Sequence, residues 1–299
     1  MYLGISFTCN HLIFYFVMKN IDPVLALNIK ETLQLAFRED LGFGDITSRS
    51  VLSGEIKTGT FLAKATGVLA GIDVIEAGYF LLDDTIAVEL LKQDGDRVEP
   101  GDEIARVNGP DRVLLGGERV ILNLIQHLGG IATATSLAAN ALQGSRTRIC
   151  DTRKTLPGLR LLQKYAVRCG GGYNHRLRLD DAIMIKDNHI KAAGGIRQAV
   201  ERAKNHSGLT IKIEVECESE KQVREAVDAG ADIIMLDNRT PKEAKRLREI
   251  IPDQIIVELS GGITTDSVGR YRDCGADFVS LGALTHSVKA LDISFNLME

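Results

Sequence analysis

The chain has 299 residues, of which 44% are hydrophobic and 25% charged, and its 36 basic and 40 acidic residues give a formal net charge of −4. This composition is that of a globular protein with a sizeable core, in one large or two medium domains. The slight acidic excess argues against a nucleic-acid or membrane-surface protein, which would be basic over a whole domain. Five cysteines, an odd number without a CxxC pair, indicate neither a disulfide framework nor a zinc site and favour a cytoplasmic location.

Residues 1–18 are an apolar N-terminal extension that begins MYLGISFTCNHLIFYFV. This stretch is too short to span a bilayer as a helix. It also lacks the basic segment and the small-residue cleavage site of a signal peptide. We therefore expect the functional start at Met18 and no membrane partner, with a weak membrane anchor as the alternative.

Residues 19–129 are predicted to form an N-terminal domain of mixed α and β structure. A helical pattern, PVLALNIKETLQLAFRED, comes first. Short alternating strands follow in KTGTFLAKATGVLAGI and IAVELLKQDGDRVEPGDEIARVNGP, broken by Gly and Asp at the turns, and they predict an antiparallel sheet. The apolar helical pattern from residue 117, GERVILNLIQHLGGIATATSLAANAL, links this domain to the next.

Residues 130–299 show an alternation of strand and helix. Six apolar strands are predicted in RTRIC, DAIMI, LTIKIEV, ADIIML, QIIVEL and ADFVSL, with helical patterns around residues 159–167, 195–204, 220–229, 241–250 and 265–274. Continuous apolar strands of this kind are buried on both faces, as in parallel sheets. They predict either a parallel α/β barrel with fewer than the usual eight strands or an open doubly wound sheet.

Polar or small residues lie where each of these strands ends. In a parallel α/β barrel the carboxyl ends of the strands meet at one face and form the site. The polar or small residues at all six strand ends therefore predict one site at this face. In strand order, the residues are Asp151, Thr152, Arg153 and Lys154; Lys186; Glu216; Asp237 and Asn238; Ser260, Gly261 and Gly262; and Gly282.

Basic residues are concentrated near this predicted site. Residues 146–191 hold eleven Lys and Arg and only four Asp, and the glycine run in GGGY can bring His175 and Arg176 over a ligand. Arg153, Arg176 and Lys186 together could neutralise two carboxylates, and arginine would do so bidentately. Each of them alone is equally compatible with a solvated surface charge, but surface charge does not explain why several follow buried strands.

Two further zones complete the predicted site. Glu216 and Asp237 are carboxylates at neighbouring strand ends, where they would hold Mg²⁺ directly or through water, or else pair with Lys154 or Lys186. The segments LSGGI and SLGALTHS offer backbone N–H groups for a phosphate cradle, or form only tight turns. No nucleophile motif or dinucleotide fingerprint is present in the sequence. The pattern fits a dianionic acid that reacts with a phosphosugar, with positioning and electrostatics carrying catalysis.

Several long motifs resemble the quinolinate phosphoribosyltransferase family, the carboxylating nicotinate-nucleotide pyrophosphorylases: DTRKTLPGLR, KYAVRCGGGYNHRLRLDDAIMIKDNHI, IEVECES, IMLDN, ELSGGI and SLGALTHS. The resemblance covers residues 33–287. It implies an N-terminal α/β sandwich domain followed by an incomplete six-stranded parallel α/β barrel. It also implies a pentosyltransferase that uses Mg²⁺ to join quinolinate to 5-phosphoribosyl-1-pyrophosphate (PRPP). The products would be nicotinate mononucleotide, pyrophosphate and CO₂, in the biosynthesis of NAD.

The resemblance also implies roles for individual residues. The quinolinate carboxylates are expected to be bound by Thr152, Arg153, His175, Arg176 and Lys186, with Arg119 supplied by the neighbouring subunit. The catalytic residues in contact with PRPP and its metal are expected to be Lys154, Lys186, Glu216 and Asp237. The 5-phosphate is expected to lie on Ser260, Gly261, Gly262, Leu281, Gly282, Ala283 and His286. A shared site implies a homodimer, or a hexamer built from such dimers.

Two alternatives stay open on the sequence alone. A related phosphoribosyltransferase-like barrel, acting on nicotinate or associated with molybdenum transport, would share the fold but need fewer cations for a monocarboxylate or an uncharged substrate. A lipoyl- or biotinyl-type carrier would use the hairpin LLKQDGDRVEPGDEIARV, with Lys64 as its attachment point. The carrier leaves the barrel unexplained, so the sequence favours phosphoribosyl transfer to quinolinate.

Overall fold

The computed structural model describes residues 21–298, which divide into two compact units. The first unit comprises residues 21–133, 157–170 and 288–298, and the second comprises residues 134–156 and 171–287. The predicted domain boundary falls after residue 129, and the stretches 157–170 and 288–298 lie beyond it in sequence. The predicted apolar extension, residues 1–18, lies outside the described residues.

The described residues form the following helices and strands. The helices are α1 (Pro23–Leu41), α2 (Ile46–Val51), α3 (Asp73–Leu82), α4 (Asp111–Ala141), α5 (Arg160–Cys169), α6 (Asp187–Ala193), α7 (Ile196–His206), α8 (Glu220–Ala229), α9 (Pro241–Arg248) and α10 (Ala283–His286), with a 3₁₀ helix at Val268–Tyr271. The strands are β1 (Ile56–Ala63), β2 (Gly67–Val68), β3 (Ala87–Leu90), β4 (Arg97–Val98), β5 (Glu103–Pro110), β6 (Arg148–Cys150), β7 (Ile183–Ile185), β8 (Ile213–Cys217), β9 (Ile233–Asp237), β10 (Ile256–Ser260), β11 (Phe278–Ser280) and β12 (Ile293–Leu297).

The first unit contains an antiparallel sheet with the strand order β12-β1-β5-β3. This confirms the sheet predicted for the N-terminal domain. Helix α1 begins where the Asp22 carboxylate accepts hydrogen bonds from the backbone N–H groups of Val24 and Leu25, as an N-cap residue does. The sequence pattern does not predict β12, which pairs with β1. A Cβ at Gly59 would lie 2.1 Å from the Phe295 ring, so this pairing requires glycine.

Helix α4 has 31 residues and begins at Asp111, earlier than the predicted start at residue 117. It is long and apolar enough to cross a membrane by length and composition alone. However, 56% of its most apolar window is buried inside the protein. A core helix of a globular domain has the same properties, so this helix is weak evidence for a membrane span.

The second unit contains six parallel strands in the order β6-β11-β10-β9-β8-β7. This is the cyclic order of a barrel opened between β6 and β7, without the reversal that defines a doubly wound sheet. The predicted incomplete six-stranded barrel is therefore confirmed. Beside β6, the Tyr173 N–H donates to the Ile149 carbonyl at 2.8 Å, and the Asp151 N–H donates to the Tyr173 carbonyl at 3.1 Å. This pairing leads the next residues, His175 and Arg176, past the carboxyl end of β6.

The helix predicted around residues 265–274 is wrong, because the segment holds only the 3₁₀ helix Val268–Tyr271. The Thr264 N–H donates to Ser267 Oγ at 3.0 Å, and the Ser267 N–H donates to Thr264 Oγ1 at 3.3 Å. Hydroxyl groups that bond locally to the backbone compete with the regular helix. Gly269 within the 3₁₀ helix weakens the helical tendency further.

Candidate active site

A cavity of about 550 Å³ lies at the carboxyl ends of the strands of the second unit. Predicted site residues that line it are Thr152, Arg153, Lys154, His175, Arg176, Lys186, Glu216, Asp237, Ser260, Gly261 and Gly262. Other residues that line it are Met184, Met235, Asn238, Glu258 and Ser280. One cavity therefore brings together most of the residues that the sequence predicts for the site.

One wall of the cavity carries two guanidinium groups. The Arg153 Nε is buried and has no hydrogen-bond partner among the described residues. The Arg176 Nη1 donates to the Ala182 carbonyl at 2.9 Å, which fixes that side chain. Burial, followed by the nearby charge of Arg153, lowers the pKa of Arg176 below its ordinary value. Two cations that repel each other in a partly buried cavity form a site for an anionic ligand.

The segment after β6 is folded so that Lys154 stands over the cavity. The Lys154 N–H donates to Thr152 Oγ1 at 3.0 Å, and Thr285 Oγ1 donates to the Lys154 carbonyl at 2.7 Å. A Cβ at Gly282 would lie 2.8 Å from Lys154 Cδ, so glycine at that position leaves room for the lysine side chain. Two hydrogen bonds thus fix the Lys154 backbone at the strand ends, and Gly282 leaves space for its side chain.

The opposite part of the cavity carries the two predicted carboxylates. Lys186 Nζ donates to a carboxylate oxygen of Glu216, so one of the predicted salt bridges is present. Asn238 Nδ2 donates to Asp237 Oδ2 at 2.5 Å. Burial, and then the charge of Glu216, raises the pKa of Asp237 above its ordinary value. A dication would relieve the repulsion between these carboxylates, and oxygen donors suit Mg²⁺, so the two residues fit such an ion.

A turn with left-handed backbone closes the site beside β9 and β10. Gly261 has φ +93°, Gly262 has φ +64° and Asn238 has φ +52°. A Cβ at Gly261 would lie 2.3 Å from Asn238 Oδ1 and 2.7 Å from the Asn238 backbone nitrogen, whereas nothing lies within 4 Å of a Cβ at Gly262. The two glycines are therefore required for different reasons: Gly262 only by its φ angle, and Gly261 also by close approach.

This difference predicts a difference in stability between two alanine variants. Gly262→Ala should lower the free energy of unfolding by about 1–2 kcal/mol, the cost of a left-handed alanine. Gly261→Ala should lose about 1–3 kcal/mol more, because a clash with backbone is added to the same strain. Urea unfolding of both variants measures this, with Gly171→Ala (φ +83°, no atom within 4 Å) as the control. Equal losses at positions 261 and 262 would contradict the close approach.

Several residues predicted to bind phosphate do not line this cavity. Leu281 is fully buried, and its N–H donates to the Cys150 carbonyl at 2.9 Å, so its amide is already used by β6. His286 is exposed, with its Nδ1 2.5 Å from Ser287 Oγ. Gly282 and Ala283 are also not among the lining residues. The residues that do line the cavity from the predicted cradle are Ser260, Gly261 and Gly262.

Arg119 belongs to the first unit and does not line the cavity either. Its side chain is 60% exposed, and its Nη2 lies 3.7 Å from Glu118 Oε1. An exposed guanidinium with one weak partner is available to a ligand or to a second chain.

A buried cluster of His175, Glu214 and Glu258 forms the floor of the site. The His175 Nε2 lies 3.2 Å from Glu214 Oε2 and 3.3 Å from Glu258 Oε2. Glu258 was not predicted as a site residue from the sequence, and Glu214 was expected only to share the strand face of Glu216. The signal is the period-2 alternation of a strand, which puts Glu214 on the face of Glu216 and Glu258 on the face of Ser260.

The protonation of this cluster follows from its hydrogen bonds. Burial lowers the pKa of His175, but the hydrogen bonds that its ring donates to the Glu214 and Glu258 carboxylates outweigh burial and raise the pKa to about 10. A second ring proton would have to occupy Nδ1, which already accepts the Arg176 N–H at 2.7 Å. The Nε2 proton therefore faces the two carboxylates, and Nδ1 faces the Arg176 backbone. Burial also raises the pKa of Glu214 above its ordinary value.

The fold and the site define an α/β-barrel enzyme that binds anionic ligands. The family model for the quinolinate phosphoribosyl transferase C-terminal domain matches residues 131–296, and that for the N-terminal domain matches residues 45–129. The chain therefore belongs to the quinolinate phosphoribosyltransferase family.

Individual relatives agree with this placement. The chain is 49% identical over 271 residues to a probable nicotinate-nucleotide pyrophosphorylase (carboxylating) of Bacillus subtilis strain 168, covering 91% of this chain and 94% of the relative. It is 42% identical to the protein of the same name from Methanocaldococcus jannaschii, over 89% of this chain and 96% of the relative. Among solved structures, NadC from Streptococcus pyogenes superposes with a TM-score of 0.88 at 40% identity, covering 94% of this chain and 99% of that one.

Proposed function

We propose that this chain transfers the phosphoribosyl group of PRPP to quinolinate, with loss of CO₂, giving nicotinate mononucleotide and pyrophosphate in NAD biosynthesis. The observation that carries the proposal is the pair of guanidiniums, Arg153 and Arg176, in the same cavity as two carboxylates and a glycine turn. Quinolinate brings two carboxylates and PRPP brings phosphates. Family membership at high identity over nearly the whole chain supports the same reaction.

Quinolinate binds at the guanidinium wall. The unpartnered Nε of Arg153 and the fixed guanidinium of Arg176 pair with its carboxylates, since a planar guanidinium matches a carboxylate bidentately. Thr152 and Lys186 lie in the same cavity and supply further hydrogen bonds. The phosphate of PRPP binds at Ser260, Gly261 and Gly262, where left-handed glycines let backbone N–H groups face an anion.

Glu216 and Asp237 would hold Mg²⁺, directly or through water, because their mutual repulsion and oxygen donors fit a hard dication. When bound, the ion would supply positive charge for the phosphates of the substrate. Lys154 and Lys186 neutralise the charge that develops on pyrophosphate as it leaves, and Glu216 holds the Lys186 ammonium in place.

The chemistry proceeds by displacement and then decarboxylation. As the bond from ribose C1 to the pyrophosphate oxygen breaks, the ribose becomes oxocarbenium-like and accepts the lone pair of the quinolinate nitrogen. The nitrogen is then cationic. It stabilises the electron pair left on ring C2 when the 2-carboxylate departs as CO₂, and a proton from solvent completes the C–H bond. Arg153 and Arg176 orient the ring so that its nitrogen faces the ribose.

We place Arg119 in the site of a neighbouring subunit, because the family resemblance implies that role and its guanidinium is exposed. This makes the active form a homodimer with shared sites, or a hexamer of such dimers. We assign the reaction to the cytoplasm, in keeping with the four free cysteines of the described residues.

Product analysis tests the proposed function directly. With quinolinate, PRPP and Mg²⁺, the chain should release one CO₂ and one pyrophosphate for each nicotinate mononucleotide formed. Nicotinate in place of quinolinate tests the related phosphoribosyltransferase, which would give nucleotide without CO₂. Turnover of nicotinate but not of quinolinate would overturn the proposal.

A further inference from the structure

Two buried carboxylates beneath the cavity have no part in the mechanism described above. Glu214 and Glu258 have side chains only 2% and 6% exposed, and both reach the His175 Nε2. The second oxygen of each, Oε1, has no hydrogen-bond partner among the described residues. Burying two carboxylates around one imidazole is costly, so their retention needs a reason.

The hydrogen bonds of His175 show that its ring is used within the protein. Nδ1 accepts the Arg176 N–H at 2.7 Å, and Nε2 faces both carboxylates. Both ring nitrogens therefore have protein partners, and neither is left to bind a substrate carboxylate directly. The ring instead joins the carboxylate pair to the backbone of Arg176.

The chain around His175 is anchored on its other side as well. Asp151 accepts the His175 N–H at 2.8 Å through Oδ1 and the Asn174 side-chain amide at 2.6 Å through Oδ2. With this backbone held by Asp151 and the ring held by two carboxylates, the Arg176 N–H has a fixed position. The Arg176 guanidinium is then fixed by the Ala182 carbonyl.

A metal ion is the competing interpretation of this cluster, because its three ligand atoms lie within 4.8 Å of one another. A metal at Nε2 would take the lone pair there and leave the proton on Nδ1, where ligating histidines usually donate to an acceptor. Here Nδ1 accepts instead. The hydrogen-bond pattern therefore favours a protein-internal role over metal ligation.

We propose that Glu214 and Glu258 are positioning residues. They act through His175 to hold Arg176 where its guanidinium can pair with a quinolinate carboxylate. The inference rests on the proposed function, because it concerns the quinolinate end of that site. The charge of Glu214 also raises the pKa of Arg176 against the opposing effect of Arg153, which stabilises the cation before the substrate arrives. The positioning role of both carboxylates rests on their contacts with the His175 ring.

A double-mutant cycle between Glu258 and His175 tests the proposal. Glu258→Ala should raise the KM for quinolinate about tenfold, while kcat and the KM for PRPP change by less than about twofold. The reason is that the variant weakens the binding of quinolinate equally in the ground state and the transition state, and leaves the binding of PRPP intact. Glu258→Gln, which keeps a hydrogen-bonding group, should recover most of the affinity. In a His175→Ala background, Glu258→Ala should raise the KM for quinolinate by less than about a further twofold, because the imidazole through which Glu258 acts is already absent. Glu214→Ala should behave in the same way.

Each other outcome overturns the inference. Additive effects of the two substitutions would mean that Glu258 does not act through His175, and equal rises in both KM values would mean general damage to the site. Circular dichroism melts of each variant identify loss of folding, in which case the Gln variants and quinolinate titration calorimetry carry the test. Stoichiometric metal in the wild-type protein that Glu258→Ala loses would establish the metal site instead. Wild-type turnover of quinolinate in the same assay separates failure of this inference from failure of the proposed function.

Discussion

Replacing Arg153 by alanine should lower kcat/KM for quinolinate by about 10³-fold, because losing a desolvated guanidinium partner for a carboxylate costs about 4 kcal/mol. The Arg153 Nε is buried without a hydrogen-bond partner in residues 21–298. A buried donor without a partner destabilises the protein, and a bound ligand that accepts its hydrogen bond would remove that cost. Steady-state kinetics with each substrate varied in turn measures the effect. The KM for PRPP should stay within about threefold of the wild-type value, because PRPP binds at the glycine turn.

Two variants control for charge and for general surface effects. Arg153→Lys keeps the positive charge but loses the two-pronged geometry, so a deficit of about tenfold should persist. Arg178→Ala removes an arginine whose side chain is 68% exposed and lies 3.5 Å from Asp180, and it should leave the kinetics unchanged. Normal affinity and turnover for quinolinate in Arg153→Ala would remove Arg153 from the binding site.

The barrel could be predicted because each strand is a local apolar run and each strand end carries its own polar residues. What the sequence could not provide is pairing between distant segments. Strand β12 is the short segment ISFNL, which alternates apolar and polar residues, and only its pairing with β1 in the fold identifies it as part of the first sheet. Likewise, residues 265–274 have a helical apolar pattern, but hydroxyl hydrogen bonds between Thr264 and Ser267 replace the first turn.

At the site, residue types were easier to predict than their partners. Arg153, Lys186 and Asp237 follow strands and were found by position alone. Leu281 was expected at the phosphate from the family resemblance, but its N–H donates to the carbonyl of Cys150 in the neighbouring strand β6. Asn238 has a left-handed backbone, a conformation that asparagine adopts more readily than most residues, but its close approach to Gly261 is visible only in the fold. Glu258 looked like a core position, and only the fold shows that His175 reaches it.

Asp237→Asn should raise the Mg²⁺ concentration for half-maximal activity by about tenfold and lower kcat by about 10²-fold, because one of two carboxylates that attract the dication is lost. The raised pKa of Asp237 reflects burial and the adjacent Glu216 charge, so the site already favours a counter-cation. Initial rates over a Mg²⁺ titration, begun from protein treated with EDTA, measure both changes. Activity should vanish with EDTA and return with Mg²⁺.

Glu216→Gln separates metal binding from the salt bridge, because Glu216 also accepts from Lys186. If Glu216 holds the metal, its variant should shift the Mg²⁺ requirement as Asp237→Asn does. If it serves only Lys186, kcat should fall while the Mg²⁺ requirement stays the same.

Glu218→Gln is the matched control: this exposed carboxylate raises the pKa of Asp237 but does not line the cavity. Its Mg²⁺ requirement should change by less than about twofold, since remote exposed charge is screened. A common, unaltered Mg²⁺ dependence in all three variants would mean that the metal is held by the substrate phosphates alone.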